Sequence, residues 1–357
     1  MDFEGPATLR LYGTLKSSSD NFIEVDDGAS IFVHKGARII GGIAVKDLGD
    51  SNLYFDVGSS MSYVFETTNT SGASWTLQDL DGRAVVEGSA IAAGIGNVET
   101  ADELMFDRSM SLDSSLGRLE RQSGYGERQA LFDTYGLSHS RDEDGTTAAY
   151  DLDSRGMTIG MPLELLGHEA IAFVNYHDSE INIASGTHDI DAQSLRFGLS
   201  VPDMWSGENF NVGVYAVAGR NSYDGMRDVL INQNTTTGIT SIAASWNSSE
   251  IELGIDASNS YEINSSLTLD SSLGLAHQVE RIGSYAEQDN FAWDGRTIVQ
   301  THAKAEVTFG YQATDSTRIY GTVMCGAEKQ PTTRSTTLQS ATTVACMTIQ
   351  SHHCGLV

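Results

Sequence analysis

From about residue 128, apolar and polar residues alternate along the chain with a period of two, the pattern of strands that bury one face. Four segments show this alternation clearly, at residues 194–201, 251–258, 267–280 and 302–311. Their apolar face includes Ile251, Leu253, Ile255, Val307 and Phe309. The opposite face carries glycines and charges of both signs, among them Arg196, Glu252, Asp256, Lys304 and Glu306. The pattern predicts an antiparallel sheet with one apolar and one polar face.

The length of these segments and the composition of their polar face favour a transmembrane barrel over a soluble sheet. The segments reach about ten residues, which a tilted strand needs to cross a bilayer, whereas soluble strands are nearer five or six. The polar face carries both charges and glycines. Charges suit a water-filled lumen, and glycines suit a lumen that packs closely around an inserted element. We therefore expect the apolar residues of these segments to face lipid. The charged residues are expected to face a lumen: Arg196, Glu252, Asp256, Lys304 and Glu306.

The connections between strands are expected to differ in length. Residues 246–249 are predicted to be a short turn, whereas residues 220–237 and 281–299 are predicted to be long polar loops. Short turns on one rim and long loops on the other are typical of outer-membrane barrels.

Residues 1–95 are predicted to form a separate β-rich region. Short β-prone runs follow one another closely and are divided by Asp-Gly or Lys-Gly dipeptides at residues 27–28, 35–36 and 81–82. Such dipeptides supply the positive φ angles that tight connections need. The runs are expected to be rungs of a right-handed parallel β-helix, and an irregular sandwich is the alternative.

Residues 96–127 are predicted to hold a linker and one amphipathic helix at residues 101–122. Acidic residues open this helix and Arg118 and Arg121 close it, as the helix dipole favours. Its apolar residues recur near helical spacing: Leu104, Met105, Met110, Leu112, Leu116 and Leu119. Because this stripe is thin and the middle is rich in serine, the helix is expected in a narrow, polar environment. A surface helix between two β regions is the alternative.

The order of these parts resembles the C-terminal region of a bacterial autotransporter of the type V secretion pathway. The segments that carry the resemblance are residues 101–122, FDTYGLSHS (132–140), YDLDSRGMTIGMP (150–162), FNVGVYAVAGRNSY (210–223), LTLDSSLGLAHQVE (267–280), EVTFGYQ (306–312) and RIYGTVMCGAEKQ (318–330). The resemblance implies that residues 1–95 are the end of a β-helical passenger and that the helix lies in the pore. It also implies that residues 128–357 form an all-β transmembrane barrel of about twelve strands.

The function that the resemblance implies is export. The chain would be a non-enzymatic translocator that inserts in the bacterial outer membrane and anchors its passenger at the cell surface. Its partners would be outer-membrane lipid, the barrel-assembly machinery and its own passenger; it would be a monomer and need no cofactor. Two alternatives are a soluble, acidic, adhesin-like binding module and an outer-membrane barrel enzyme.

The tail after Gln330 departs from the family pattern. Family members end on an amphipathic strand with a terminal aromatic, whereas this tail alternates weakly, holds no aromatic residue and ends on Val357. We therefore expect that it is not a native closing strand and that the chain inserts poorly. The N-terminus has none of the features of a signal peptide, so the chain is expected to be a fragment of a longer gene.

Composition narrows the function further. The chain has 48 acidic and 21 basic residues and a formal charge of -27, which excludes binding to nucleic acid. The acidic clusters at residues 26–27 and 142–145 and the pair His352 and His353 lack the spacing of metal ligands. His277 and His302 have no obvious serine or aspartate partners in the sequence. Neither catalytic nor metal-binding residues are therefore predicted.

Overall fold

The structure is a computed structural model. It describes residues 2–3, 6–25, 28–45, 51–58, 61–69, 75–82, 85, 90–92, 96–123, 130–142, 149–183, 188–207, 210–232, 237–287, 292–314, 317–329 and 344–351. The elements up to the helix are β1 (Asp2–Phe3), β2 (Thr8–Leu11), β3 (Thr14–Val25), β4 (Ser30–His34), β5 (Arg38–Val45), β6 (Ser51–Asp56), β7 (Ser62–Phe65), β8 (Thr67–Asn69), β9 (Trp75–Asp79), β10 (Ala90–Ala92) and α1 (Gly96–Ser123).

Long strands dominate the chain after the helix. They are β11 (Leu131–Arg141), β12 (Tyr150–Leu165), β13 (His168–Ile183), β14 (His188–Ser206), β15 (Asn211–Ile231), β16 (Ile239–Asn264), β17 (Leu267–Ile282), β18 (Tyr285–Ala286), β19 (Ala292–Trp293), β20 (Arg296–Thr314), β21 (Thr317–Lys329) and β22 (Val344–Ser351). Within the described ranges, no helix combines the length and the apolarity needed to cross a lipid bilayer.

Most of the described strands of the N-terminal region, residues 1–95, form two parallel sheets. One has the strand order β2-β4-β6-β9 and the other has the order β1-β3-β5-β8. Their strands enclose an apolar core that includes Ile31, Val33, Leu53, Phe55 and Tyr63. Each rung stacks on the next in register, as in Leu9, Ile31, Leu53 and Leu77. The expected parallel β-helix-like arrangement is confirmed.

The region from residue 131 forms one continuous antiparallel path. Its strand order is β11-β12-β13-β14-β15-β16-β17-β20-β21-β22, and every neighbouring pair runs antiparallel. The two short strands β7 and β10 join the same sheet, which then has twelve strands among the described residues. The antiparallel path itself has ten strands among the described residues, against the expected number of about twelve.

The two faces of this sheet differ sharply in exposure. Ile251 is 60% exposed, whereas its neighbour Glu252 is 0% exposed. The same alternation continues through β20, where Val307 and Phe309 are exposed and Lys304 and Glu306 are buried. The apolar face is thus the outer one, and the polar face is covered. An apolar outer face with a polar interior is the pattern of a membrane barrel and the reverse of a soluble one.

Connection lengths define two rims. On the short-turn rim, two residues link β12 to β13 (166–167) and β16 to β17 (265–266). On the long-loop rim, residues 142–149 link β11 to β12, and residues 283–295 separate β17 from β20. The asymmetry agrees with the expectation, but two of the segments on which it was based are wrongly assigned.

Residues 246–249 lie inside β16 and residues 220–231 lie inside β15. These strands are longer than a bilayer requires, at 26 and 21 residues, and they pair with each other along the extension. Tyr223, for example, is opposite Trp246. The local Asn and Ser residues resemble a turn, but cross-strand pairing decides the conformation.

The tail after Gln330 contributes β22, which pairs with β21 from Met324 opposite Val344 to Thr317 opposite Ser351. This differs from the expectation that the tail is no closing strand. β-Branched residues in β22 suit a strand, and pairing satisfies the edge of β21, which would otherwise be unpaired in lipid. The expected poor insertion of the chain stays a prediction.

The N-terminal region and the long-loop rim are joined by direct pairing. Strand β7 lies parallel to the end of β15, with Tyr63 opposite Leu230. Leu230 belongs to the apolar core of the N-terminal region. Asn232 closes the junction, because its Nδ2 donates to the Glu66 carbonyl and its Oδ1 accepts from the Glu66 amide, both at 2.9 Å.

Candidate functional site

Helix α1 is enclosed by the polar face of the sheet. Its side chains form hydrogen bonds with residues on strands all along the antiparallel path, from Asp133 on β11 through His177 on β13 and Glu280 on β17 to His302 on β20. Successive strands of one sheet can surround a single helix only if the sheet curls about it. The helix begins at Gly96, upstream of the predicted start at residue 101.

Apolar and polar faces of α1 are both buried. Leu104, Met105, Leu112 and Leu119 are each 0% exposed, and Arg108 and Ser109 are also 0% exposed. A helix that is buried all round but rich in serine and charge needs polar partners on every side. The thin apolar stripe of the helix therefore suits a polar lumen. The polar face of the sheet surrounds the helix, as expected from the sequence.

Arg108 is fully buried and forms hydrogen bonds with three side chains of the sheet. Its Nη2 donates to Glu280 at 2.6 Å and to Glu250 at 3.3 Å, and its Nη1 donates to the Tyr223 hydroxyl at 2.9 Å. The Tyr223 hydroxyl donates in turn to Glu280 at 2.5 Å. Three neighbouring strands, β15, β16 and β17, thus hold one guanidinium.

Ser109, the next residue, contacts a second polar group on the wall. Its hydroxyl forms a hydrogen bond with the Glu252 carboxylate and lies 3.1 Å from His302 Nε2. Glu252 also accepts from the Tyr215 hydroxyl at 2.7 Å. A serine beside a histidine suggests a nucleophile and base, but here the hydroxyl is covered on all sides by helix and wall.

Arg196 joins this wall to the helix backbone. Its Nη2 donates to the Arg108 carbonyl oxygen at 2.9 Å and to Asn175 Oδ1 at 2.8 Å. Its guanidinium also lies 3.7 Å from Glu250 and 3.9 Å from Glu252. Both glutamates are therefore shared by cations of the wall and groups of the helix.

Lys304 and Glu306 hold the second half of the helix. Lys304 Nζ lies 2.9 Å from Asp113 of the helix and 3.1 Å from Glu306 on its own strand. Glu306 also accepts from Ser114 at 3.3 Å and lies 3.8 Å from Arg121. Each of the two residues therefore faces a helix side chain of opposite charge, Lys304 facing Asp113 and Glu306 facing Arg121.

Near its C-terminal end, the helix is fixed to the start of the sheet. Arg118 donates to both oxygens of Asp133, at 2.9 and 3.0 Å, and Ser115 donates to the same carboxylate at 2.6 Å. A bidentate arginine pair of this kind fixes orientation as well as distance. Because β11 begins two residues before Asp133, this contact sets the position of the first strand against the helix.

Asp256 lies in the wall of a cavity of about 260 Å³ on the short-turn side of the lumen, which Lys304 and Glu306 also line. The other carboxylates around the cavity include Asp113, Glu120, Asp203 and Asp270, and its cations are Arg121 and Lys304. The cavity is thus acidic. Within the residues that the structure describes, no group of three or more His, Cys, Asp or Glu side chains is placed to hold a metal ion.

Glycines of the wall make room for large side chains that lie against it. A Cβ atom added to Gly254 would fall 2.1 Å from the Tyr215 ring, and one added to Gly198 would fall 2.3 Å from the Phe173 ring. Each ring comes from the strand next to the glycine. With the rings flat against the wall, the lumen retains space for the helix.

Several of these residues were not found from the sequence. Arg108 lies inside the predicted helix, but no role was predicted for it, and Glu250 directly follows residues 246–249, which were predicted to form a turn. Glu280 and Asp133 lie on the predicted strands without a signal that marks them. A lone arginine between Met105 and Leu112 in an otherwise thin apolar stripe was the available clue to a buried charge. The pair His352 and His353 lies outside the described residues.

Comparison with known proteins agrees with this architecture. The family model of the autotransporter β-domain matches residues 132–349. Among solved structures, the translocator domain of the autotransporter NalP from Neisseria meningitidis is similar, with a TM-score of 0.54 and 13% identity over 72% of this chain and 85% of that one. The β domain of the Bordetella autotransporter BrkA has a TM-score of 0.40 and 11% identity, over 56% of this chain and 79% of that one. No curated protein matches the sequence.

The fold and the helix-filled interior define an outer-membrane translocator. Because the family model covers more than half of the chain, the chain belongs to the autotransporter β-domain family. Its function is that of an outer-membrane autotransporter translocator with an attached passenger.

Proposed function

We propose that residues 1–95 are displayed on the outer surface of the membrane, at the long-loop rim of the barrel, and that α1 connects them to the barrel through the lumen. The observation that carries this proposal is the path of the chain. The helix leaves the N-terminal region at Gly96, passes the buried cluster around Arg108 and ends beside Asp133 at the start of the first barrel strand.

The junction at the rim supports the same orientation. The N-terminal region pairs with β15 through β7 and is bonded to Asn232, which lies in the connection between β15 and β16. In outer-membrane barrels, the longer loops are extracellular and the short turns are periplasmic. A region docked on the long-loop rim is therefore on the cell surface.

We also propose that the chain acts without catalysis, as a monomer assembled by the barrel-assembly machinery. The polar lumen residues are engaged in holding the helix: Ser109 with Glu252, Lys304 with Asp113, and Arg118 with Asp133. The outer face is apolar, as Ile251 and Leu253 show, so it has to be surrounded by lipid. Such a surface needs an assembly machinery to insert it in the membrane.

Protease treatment of intact cells tests the display. The chain is expressed with a signal sequence in a Gram-negative host, and the cells are treated with trypsin before and after the outer membrane is permeabilised. Cleavage after Lys35 and Arg38 in intact cells is the expected result, with the lumen residue Arg108 protected. Protection of both sites until permeabilisation would show that the N-terminal region faces the periplasm.

A further inference from the structure

A small hairpin covers the lumen at the long-loop rim. It lies between β17 and β20 and consists of β18 and β19, which pair through Tyr285 and Trp293. We call β18, β19 and the adjacent Glu287 the mouth hairpin. Tyr285 packs on the apolar cluster that closes this end of the lumen, which includes Leu104 of the helix and Trp246 of the wall.

Stacked aromatic rings connect the mouth hairpin to the interior. The Trp293 and Tyr285 ring centroids are 6.2 Å apart, those of Tyr285 and Trp246 are 4.8 Å apart, and those of Trp246 and Tyr223 are 5.2 Å apart. All three pairs are nearly parallel, with interplanar angles of 17°, 18° and 9°. Since Tyr223 accepts a hydrogen bond from Arg108, the stack runs from the helix to the hairpin.

Arg227 of β15 binds the mouth hairpin by charge. Its Nε donates to both oxygens of Glu287, at 3.1 and 3.0 Å, and its Nη2 pairs with the same carboxylate. The side chains of Arg227 and Glu287 are 2% and 1% exposed, respectively. The guanidinium carbon also lies 5.9 Å from the centre of the Trp293 ring. A buried, bidentate arginine pair holds its partner in one orientation.

The same guanidinium contacts the N-terminal region. Its Nη1 donates to the hydroxyl of Ser62, a fully buried residue at the start of β7. Ser62 is placed there by the parallel pairing of β7 with β15, in which Ser62 is opposite Val229. One side chain of the barrel wall therefore bonds the hairpin over the lumen and the strand that docks beside it.

We propose that Arg227 is a latch that couples closure of the mouth hairpin to docking of β7 on the barrel. When β7 is in place, Ser62 accepts from the guanidinium and fixes its orientation toward Glu287. When β7 is absent, the guanidinium loses that acceptor and the hairpin opens more often. Closure of the mouth hairpin therefore follows docking of β7 on the barrel. This step rests on the proposed display of residues 1–95.

A glutamate-specific protease measures how often the hairpin opens. The peptide bond after Glu287 is protected while the carboxylate is buried against Arg227, and cleavage requires opening. The full chain is refolded in detergent, and cleavage after Glu287 is followed by mass spectrometry. Cleavage after Glu250, which is buried in the lumen, is followed in the same sample and reports unfolding of the whole barrel.

Two variants and one control decide the outcome. Arg227→Met is expected to raise the rate of cleavage after Glu287 about tenfold or more, and Ser62→Ala is expected to raise it by a factor of about three to ten, with cleavage after Glu250 unchanged. If Arg227→Met fails to fold, Arg227→Lys keeps the charge without the bidentate geometry and reports on the same bond. Arg155→Met removes an exposed arginine pair and should leave both rates at the wild-type value.

The results also test separately whether Arg227 holds the mouth hairpin closed and whether docking of β7 affects that closure. An unchanged rate in Arg227→Met or Arg227→Lys would overturn the latch. An unchanged rate in Ser62→Ala, with a raised rate in the arginine variant, would overturn the coupling to the N-terminal region. Because the assay uses refolded protein and no export, it can fail while the display of residues 1–95 on cells succeeds, and the reverse holds as well.

Discussion

The guanidinium of Arg108 and the carboxylate of Glu280 lie 2.6 Å apart, and neither side chain is exposed to solvent. Glu250 and Tyr223 complete the site. A buried ion pair gains little net stability over an apolar pair, because both charges lose their hydration. Its effect is on position, since the helix can satisfy this cluster in only one register and rotation. We infer that Arg108 fixes where the helix stops in the lumen.

Replacing Arg108 by methionine should strongly destabilise the folded barrel. The change keeps much of the side-chain volume but leaves Glu250 and Glu280 buried without their main cation on the helix. Breaking a buried pair from one side costs about 3–5 kcal/mol. The temperature at which the folded form converts to the unfolded form, read as a shift in gel mobility, should therefore fall clearly in Arg108→Met.

Arg155→Met is the matched control for this change. Arg155 also pairs with a carboxylate, Asp178, at 2.8 Å, but its side chain is 81% exposed. Exposed pairs contribute about 0–1 kcal/mol, so the transition temperature should hardly move. Equal shifts in the two variants would mean that burial of Arg108 has no special role.

Much of the sheet follows from the sequence, because a strand buried on one face has to alternate with a period of two. That rule placed Ile251 and Glu252 on opposite faces, as the structure has them. It cannot state which inward groups meet. The contact of Lys304 with Asp113 depends on the rotation of the helix and the curl of the sheet, neither of which leaves a local pattern.

The errors have a related cause. Residues 246–249 combine Asn and Ser in a way that predicts a turn, yet they continue β16 opposite β15. The N-terminal region docks where this extension ends, at the C-terminal end of β15, through Leu230 and Asn232. The extension therefore ends at a contact with residues more than a hundred positions away in the sequence, as the separation of 166 residues between Glu66 and Asn232 shows.

Gly254→Ala should destabilise the barrel by about 1–3 kcal/mol, the usual cost of extra volume in a packed interior. The new Cβ would lie 2.1 Å from the Tyr215 ring, which rests against the glycine and donates to Glu252. Either the ring or the hydrogen bond has to move. Gly136→Ala is the control, since the nearest atom to its new Cβ is the Ser154 carbonyl oxygen at 3.6 Å. A drop in transition temperature for Gly136→Ala as large as for Gly254→Ala would contradict the steric explanation.

Asn232→Ala should loosen the junction between the N-terminal region and the rim. The side chain satisfies the Glu66 amide and carbonyl, and removing it leaves two backbone groups without that partner, at a cost of about 1–3 kcal/mol. Hydrogen exchange should therefore become faster for β7 and the Glu66 amide, while β12 and β13 keep their protection. In the control Asn259→Ala, an exposed asparagine near the C-terminal end of β16, far along the strand from Asn232, is removed, and exchange in β7 should stay as in the wild type. Unchanged exchange of the Glu66 amide in Asn232→Ala would show that the clamp is not what holds β7.

The filled lumen predicts a difference in ion conductance between two shortened chains. A chain that begins at residue 96 keeps α1, whose residues 103–105 and 107–116 are all buried against the wall, so it should be nearly silent in a planar bilayer. A chain that begins at residue 124 lacks the helix and exposes charged wall residues such as Arg196, Glu252 and Lys304 to water, so it should conduct ions. Both chains have to show the gel shift of a folded barrel. If the two folded barrels conduct equally, the helix does not seal the pore, and its ion pairs with Glu280 and Lys304 serve the assembly of the barrel alone.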